Sequence, residues 1–427
     1  MLSYPAREPL RGTARIPGDK SISHRALMLA ALAVGRSRIE GLNEGADVRA
    51  TAAALRAMGA RIEREADGSW AVDGVGVGGL LQPQAPLDLG NSGTSARLLM
   101  GLIASHPVRA ELTGDVSLCR RPMARIAAPL RRIGARIDGD LLPLRIEGLY
   151  PAIPTRHRLG LPSAQVKSAL LLAGLNTPGW TEIETAPSRD HLERMLPSFG
   201  AEIASDGGRI ALRGEAGLRP QRLTIPGDAS AAAFLAVAAL VVPGSEVRIE
   251  GVGVSPTRIG LYDMLREMGA DIAFSNRREA SNEPVADLVV RHGAFTGIDV
   301  PPEIAPRMID EYPILFVAAS FARGTTRAHG LAELRFKESD RIAAMAAGLR
   351  AIGVRAEESG DGLAVHGSGG DPLPGGAAID AACDHRIAMS FAVAGLRVKE
   401  PIGIAGMNAA DTSFPGFLSA LEALTPS

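Results

Sequence analysis

Five times the chain repeats one phrase: Leu55-Arg-Ala-Met-Gly59-Ala-Arg-Ile62, Leu130-Arg-Arg-Ile-Gly134-Ala-Arg-Ile137, Leu196-Pro-Ser-Phe-Gly200-Ala-Glu-Ile203, Leu265-Arg-Glu-Met-Gly269-Ala-Asp-Ile272 and Leu349-Arg-Ala-Ile-Gly353-Val-Arg-Ala356. In each, the residues before the glycine close a helix, the glycine supplies a left-handed position just past its end, and the residues after it open a strand. The glycines lie 66 to 84 residues apart, and a further helix, Phe417 to Leu424, ends the chain where another copy falls. Six β-α-β-α-β units are the simplest reading of that period.

The same beat precedes each phrase. A polar or small cluster (Asp19-Lys20-Ser21, Asn91-Ser92-Gly93, Ser163-Ala164-Gln165, Asp228-Ala229-Ser230, Ile309-Asp310-Glu311, Cys383-Asp384-His385) leads into an apolar helical run such as Ala26 to Val34. A short alternating strand follows, such as Ser37 to Gly41 or Glu246 to Gly251. These helices are apolar on nearly every face, which predicts burial on all sides, with sheets outside. Ile16-Pro17-Gly18-Asp19 recurs as Ile225-Pro226-Gly227-Asp228 and divides the units three and three. The expected fold is therefore α/β: two similar inside-out α/β domains, each of three β-α-β-α-β repeats with buried helices and outer sheets. The first would span 19-226. The second would span 1-18 and 227-427, completed by an N-terminal strand at Arg11 to Ile16, with a hinge near 16-19 and 225-228. Polar helix starts would then face one interdomain cleft.

Composition narrows the partners. With 46 basic and 47 acidic residues, nothing suggests nucleic acid or an anionic membrane surface, so any cationic site must be local. Cys119 and Cys383 lie far apart with no metal-ligand spacing, so neither a disulfide framework nor a zinc site is expected. The stretch Met1 to Leu10, with Arg7 and Glu8, has no apolar segment of a signal peptide. The longest apolar run, Ala229 to Val242, has 14 residues, short of the roughly 20 that span a bilayer. A soluble cytoplasmic monomer is expected, with no metal and no cofactor.

Cations mark the helix starts. Pro17 to Arg25 is a turn opening a helix, where Asp19, Ser21 or Ser23 can cap and Lys20 and Arg25 add charge to an N-terminus that already favours anions. A capped surface helix with solvated cations is the competing reading. Gly90 to Arg97 also leads into a helix and lets backbone amides approach an anion, with a plain turn as the alternative. Gly74 to Gly79 matches a dinucleotide-binding pattern by letter, but Leu80-Leu81-Gln82-Pro83 cannot open the required helix, so it is read as a loop. Arg120-Arg121-Pro122 alone is a solvated pair. Lys337 and Arg341, placed on one helix, share a face at i, i+4 and repel unless an anion lies between them. Together with Arg189 and Arg386, and with Asp310, Glu311 and Glu338 as the available acids, these groups predict a substrate with several anionic groups and general acid–base chemistry.

At these residues the chain resembles the enolpyruvyl transferases. The resemblance covers essentially the whole chain and rests on Pro17 to Arg25, Gly90 to Thr94, Arg121-Pro-Met123, Ser163-Ala-Gln165, Ile309-Asp310-Glu311, Phe336 to Arg341 and Asp384 to Met389. Ser163-Ala-Gln165-Val166-Lys167 and Arg189-Asp190-His191 are most similar to one bacterial subclass. The resemblance implies two inside-out domains and transfer of the enolpyruvyl group of phosphoenolpyruvate to the 5-hydroxyl of shikimate 3-phosphate, with release of phosphate through a tetrahedral ketal. It implies that Lys20 touches both substrates, and that Ser21, Arg25, Ser163, Ala164, Gln165, Arg189 and Lys337 hold shikimate 3-phosphate. Gly93, Arg121, Arg341 and Arg386, with Gln165, would hold phosphoenolpyruvate. Asp310 would accept the hydroxyl proton, and Glu338 with Lys20 would supply the proton to the methylene carbon. Two positions depart from the pattern: Thr412 stands where many members have Lys, and Glu333 where many have Asn. Gly93 is retained, which implies sensitivity to glyphosate. The competing enzyme, the sister transferase acting on UDP-N-acetylglucosamine, carries Asn where Ser21 stands and Cys where Val116 stands. A non-catalytic anion-binding repeat scaffold would explain the repeats without needing Asp310 and Glu338.

Overall fold

The computed structural model describes residues 1–6 and 8–425. Arg7, cited above for the N-terminal stretch, and residues 426–427 of the second expected domain lie outside the described residues.

All five repeat glycines have positive φ, between 87° and 103°, where a side chain would be strained. Gly59, Gly134, Gly269 and Gly353 stand just past a helix end, Gly200 closes a turn that follows the helix ending at Met195, and each leads the chain toward the next strand. The residues group into two compact units, one of Gly18–Ile225 with Ala280–Glu283, the other of Met1–Pro17, Pro226–Glu279 and Pro284–Ser427. The sequence reading had kept residues 280–283 with the second domain. They form the tip of a hairpin between strands Asp271–Ala280 and Glu283–Arg291, where Ser281 and Asn282 adopt the left-handed conformation of a tight turn.

Six apolar helices carry the cores: α1 (Lys20–Ala31), α2 (Gly93–Ala104) and α3 (Ala164–Gly174) in the first unit, α4 (Ala229–Val241), α5 (Tyr312–Phe321) and α6 (His385–Ala394) in the second. Every residue of α4 and α5 is buried, because a helix apolar all round has no face to give to water. α1 stops at Ala31, and Val34 already belongs to the strand Val34–Glu40, so the run Ala26 to Val34 is not wholly helical. Short apolar runs do not distinguish the two states; here the strand pairing of Val34 with Val75 decides.

Sheets flank these helices with one recurring order. In the second repeat Leu87–Asp88 lies parallel to Arg109–Thr113, which pairs antiparallel with Leu144–Glu147, which in turn pairs with Arg136–Asp138. The third and fifth repeats have the same order. In the first repeat the parallel edge strand comes from the far end of the unit, Arg222–Thr224 beside Val34–Glu40. In the fourth it is Arg11–Arg15 beside Glu246–Gly253. The sixth repeat is split into a pair and a three-stranded sheet, the latter closed by Leu2–Ser3 against Ile402–Ala405. Trp70–Val75 takes in the first residues of the glycine-rich run read as a loop, and no helix follows it.

Candidate active site

In the first unit the candidate groups other than Arg121 and Arg189 stand in the first turns of three core helices. Asp19 Oδ1 accepts the Ile22 N–H at 2.9 Å, so Lys20 is the first residue of α1. Lys20 Nζ lies 2.9 Å from Asp47 Oδ2, both side chains largely buried. Asp47 opens the helix Ala46–Ala57 and had no mark in the sequence. One turn into α1, the buried Arg25 donates through Nε and Nη2 to Ser168 Oγ at 3.2 and 2.7 Å, and through Nη1 to the Ser21 carbonyl at 2.8 Å. It thereby joins α1 to α3.

Behind Lys20 runs a buried chain of hydroxyls. His24 Nδ1 lies 2.7 Å from Thr51 Oγ1, Thr51 Oγ1 2.6 Å from Ser95 Oγ, and Ser95 Oγ 2.6 Å from Ser92 Oγ, the cap of α2. Burial, and then the neighbouring Lys20 and Arg25, hold the His24 imidazole well below its ordinary pKa, so it is neutral.

Gly93 opens α2 between two guanidiniums. A Cβ there would lie 2.8 Å from Arg97 Nη1 and 3.2 Å from Arg121 Nη1. Arg121 donates to the Asn91 carbonyl at 3.1 Å, to Asn91 Oδ1 at 2.5 Å and to Ser117 Oγ at 3.0 Å. Arg97 Nη1 donates to Gln165 Oε1 at 3.1 Å, and Gln165 Nε2 to Thr94 Oγ1 at 3.2 Å. The structure therefore gathers Gly93, Arg121 and Gln165, and adds Arg97, which the sequence reading passed over although its i, i+4 spacing from Gly93 was visible. Ser163 caps α3, accepting the Val166 N–H at 3.4 Å, with Ala164 and Gln165 in its first turn. Arg189 is half-buried in the connection ahead of the helix His191–Met195.

The second unit holds the acids. Arg341 is almost wholly buried and reaches three carboxylates: Asp384 Oδ2 from Nε at 2.8 Å, Glu338 Oε2 from Nη2 at 2.6 Å and Asp310 Oδ1 from Nη1 at 3.3 Å. Burial works against its charge, yet Asp384, Glu338 and Asp310 together hold the guanidinium above its ordinary pKa. Lys337 Nζ lies 3.4 Å from the same Asp310 oxygen. Lys337 and Arg341 do not share a helix face, contrary to expectation. Ala332–Phe336 is a 3-10 turn, Lys337 is extended, and Asp340 caps a helix that starts only at Arg341. Both cations instead reach Asp310 Oδ1, carried by the segment leading into α5.

Arg386, in the first turn of α6, donates to the Asp310 carbonyl at 2.9 Å and lies 3.9 Å from Glu311 Oε1. Glu311 is buried and accepts the Ser230 hydroxyl; Arg258 in turn donates to Ser230 Oγ at 3.1 Å and to Asp228 Oδ1 at 2.9 Å. Asp384 caps α6 through the Arg386 N–H at 2.9 Å. Its neighbour His385 is buried. Thr412 ends the 3-10 turn Met407–Thr412 and donates to the Ala409 carbonyl at 2.8 Å; Glu333 Oε1 lies 3.9 Å from Lys337 Nζ.

Among the described residues no group of three or more His, Cys, Asp or Glu side chains could hold a metal ion, and no helix is long and apolar enough to cross a membrane. Chemically, the first unit offers cations and helix N-termini for anions, and the second a carboxylate, Asp310, held between two cations.

The chain is similar to known proteins over nearly its whole length. The family profile of EPSP synthase (3-phosphoshikimate 1-carboxyvinyltransferase) matches residues 5–421. A 3-phosphoshikimate 1-carboxyvinyltransferase of Sphingopyxis alaskensis is 59% identical, over 99% of this chain and 98% of its own. That of Zymomonas mobilis is 57% identical, over 96% and 93%. Among solved structures, EPSP synthase from Acinetobacter baumannii superposes with a TM-score of 0.88 at 42% identity, covering 99% of this chain and 98% of that one. The enolpyruvyl transferase NikO of Streptomyces tendae, at 18% identity and a TM-score of 0.78 over 99% and 97%, shares the fold.

Proposed function

The chain belongs to the EPSP synthase (3-phosphoshikimate 1-carboxyvinyltransferase) family, and on that premise we propose how its residues divide the transfer of an enolpyruvyl group from phosphoenolpyruvate to the 5-hydroxyl of shikimate 3-phosphate in aromatic amino-acid biosynthesis. The substrates carry two phosphates and two carboxylates between them. Bringing these together needs fixed positive charge, which preorganised guanidiniums, ammonium groups and helix N-termini supply without reorganising during reaction. Ser21, Arg25, Ser163, Ala164, Gln165, Arg189 and Lys337 hold shikimate 3-phosphate. Gly93, Arg121, Arg341 and Arg386, with Gln165, hold phosphoenolpyruvate, and Lys20 serves both.

Asp310 takes the proton of the 5-hydroxyl as its oxygen attacks C2 of phosphoenolpyruvate. Glu338, with Lys20, delivers a proton to C3, giving a tetrahedral ketal. Loss of a methyl proton and of the phosphate then restores the double bond. The observation that carries this reading is that Asp310 Oδ1 is approached by Arg341 and Lys337 at 3.3 and 3.4 Å, while Arg386 holds the Asp310 carbonyl. These contacts hold the carboxylate in one place, which supports the reading of Asp310 as the base. We also propose that the enzyme works as a cytoplasmic monomer; the free thiols of Cys119 and Cys383 support a reducing compartment.

The test is phosphate release from phosphoenolpyruvate with shikimate 3-phosphate or with UDP-N-acetylglucosamine, in wild type and Asp310→Asn. Release with shikimate 3-phosphate alone, lost in the variant, is expected. Release with the nucleotide sugar alone would transfer the assignment to the sister reaction, and none with either would favour the anion-binding scaffold.

A further inference from the structure

α3 is apolar along its length except near its start, where Lys167 and Ser168 are both buried. Ser168 receives Arg25. Lys167 takes no part in the mechanism above, yet its ammonium is placed with care. Nζ lies 2.6 Å from Glu193 Oε1, the two side chains 3% and 8% exposed, and donates to the Ser188 carbonyl at 3.3 Å. That carbonyl belongs to the peptide group leading directly into Arg189.

The residues after Arg189 are held as well. The helix His191–Met195 has five residues, too few to persist without tertiary contacts. Glu193 ties it to Lys167, and His191 Nδ1 lies 2.7 Å from Glu283 Oε1, both side chains 2% exposed. Asp190 pairs with Arg194 at 2.8 Å. The chain is therefore pinned on both sides of Arg189. The principal pin starts from the turn of α3 that also carries Ser163, Ala164 and Gln165. Burying an ammonium and a carboxylate carries a desolvation cost that an apolar pair of the same volume would not, so cohesion alone does not account for the pair.

We propose that Lys167 and Glu193 are positioning residues that lock the Arg189 connection to the start of α3, and so set the affinity for shikimate 3-phosphate. The proposal rests on the reading of Arg189 and Ser163–Gln165 as contacts to that substrate. Neither Lys167 nor Glu193 touches the reacting atoms; they act through Arg189.

The experiment uses the full chain with Lys167→Met and Glu193→Leu combined, which removes both charges and keeps the volume, beside Arg189→Met. Titration calorimetry gives the Kd for shikimate 3-phosphate, steady-state kinetics the KM of each substrate, and thermal melting the fold. The double variant is expected to melt near wild type and to lose shikimate 3-phosphate affinity by about ten- to a hundredfold, the scale of a small misplacement. The KM for phosphoenolpyruvate should be little changed. A folded double variant with wild-type affinity, while Arg189→Met is weakened, overturns the proposal and leaves the site reading standing. Arg189→Met with undiminished affinity overturns the site reading and the proposal with it. If the double variant does not fold, Lys167→Met alone, which removes the ties to both Glu193 and the Ser188 carbonyl, gives the same readout: weakened shikimate 3-phosphate binding supports the pair's role, and unchanged binding overturns it.

Discussion

Arg341 Nη1 and Asp310 Oδ1 lie 3.3 Å apart, although 30 residues of chain, including the whole of α5, separate them. The same guanidinium also holds Glu338 and Asp384, so one cation organises both candidate acids and the cap of α6.

Asp310→Asn keeps the shape of the side chain and its place near Lys337 and Arg341 but removes the basic oxygen. Turnover is expected to fall by about 10²–10⁴-fold, the range for losing a general base, with substrate affinities changed far less. Single-turnover phosphate release set beside substrate titrations checks the split; a variant with near wild-type kcat would remove Asp310 from the role of base.

Arg341→Met leaves three carboxylates facing one another without their shared cation. Breaking a buried ion pair from one side costs about 3–5 kcal/mol, so the second unit should be destabilised on that scale. Urea denaturation measures it. Arg341→Lys keeps the charge but cannot serve three carboxylates in a fixed fork, and should recover part of the stability and little of the activity.

Gly93→Ala adds a methyl 2.8 Å from Arg97 Nη1 and 3.2 Å from Arg121 Nη1. Both are far ends of flexible side chains, so the fold should survive while the anion site between them narrows. The expected outcome is a raised KM for phosphoenolpyruvate and weaker inhibition by glyphosate, read from inhibition curves on both proteins. Equal inhibition of the two would show that Gly93 does not border the inhibitor.

Acidification should destabilise the fold through three buried histidines. His24 is held well below 6.5 by burial, Lys20 and Arg25; burial lowers His106 to about 4, and burial with Arg132 lowers His157 to about 4. Between 6.5 and these values the unfolded chain binds protons that the folded chain refuses, so stability falls as pH drops and is unaffected by these groups above neutrality. Each contributes a loss of up to about 1.4 kcal/mol per pH unit in that window. Urea midpoints at pH 7 and pH 5 should differ less for His157→Leu than for wild type.

The repeat and the architecture could be read from linear order, because both depend on local chemistry. A glycine suits the position past a helix end where φ turns positive, as at Gly59, Gly134, Gly269 and Gly353, and a helix apolar on every face, such as α4, must be enclosed. The cationic helix starts were equally visible, since capping is set by a few adjacent residues, as at Asp19 and Ser163. Contacts that depend on where separate segments meet were not. Asp47 beside Lys20, Arg97 on Gln165 and Glu193 on Lys167 join residues with no common spacing, and no pattern in the chain distinguishes them from surface charges. The Lys337–Arg341 stretch shows the division most plainly. That two cations stand close in the chain was visible in the sequence, whereas the extended Lys337, which takes them off a shared helix face, and their common partner Asp310 follow from how α5 and the helix at Arg341 pack, which is a property of the folded core.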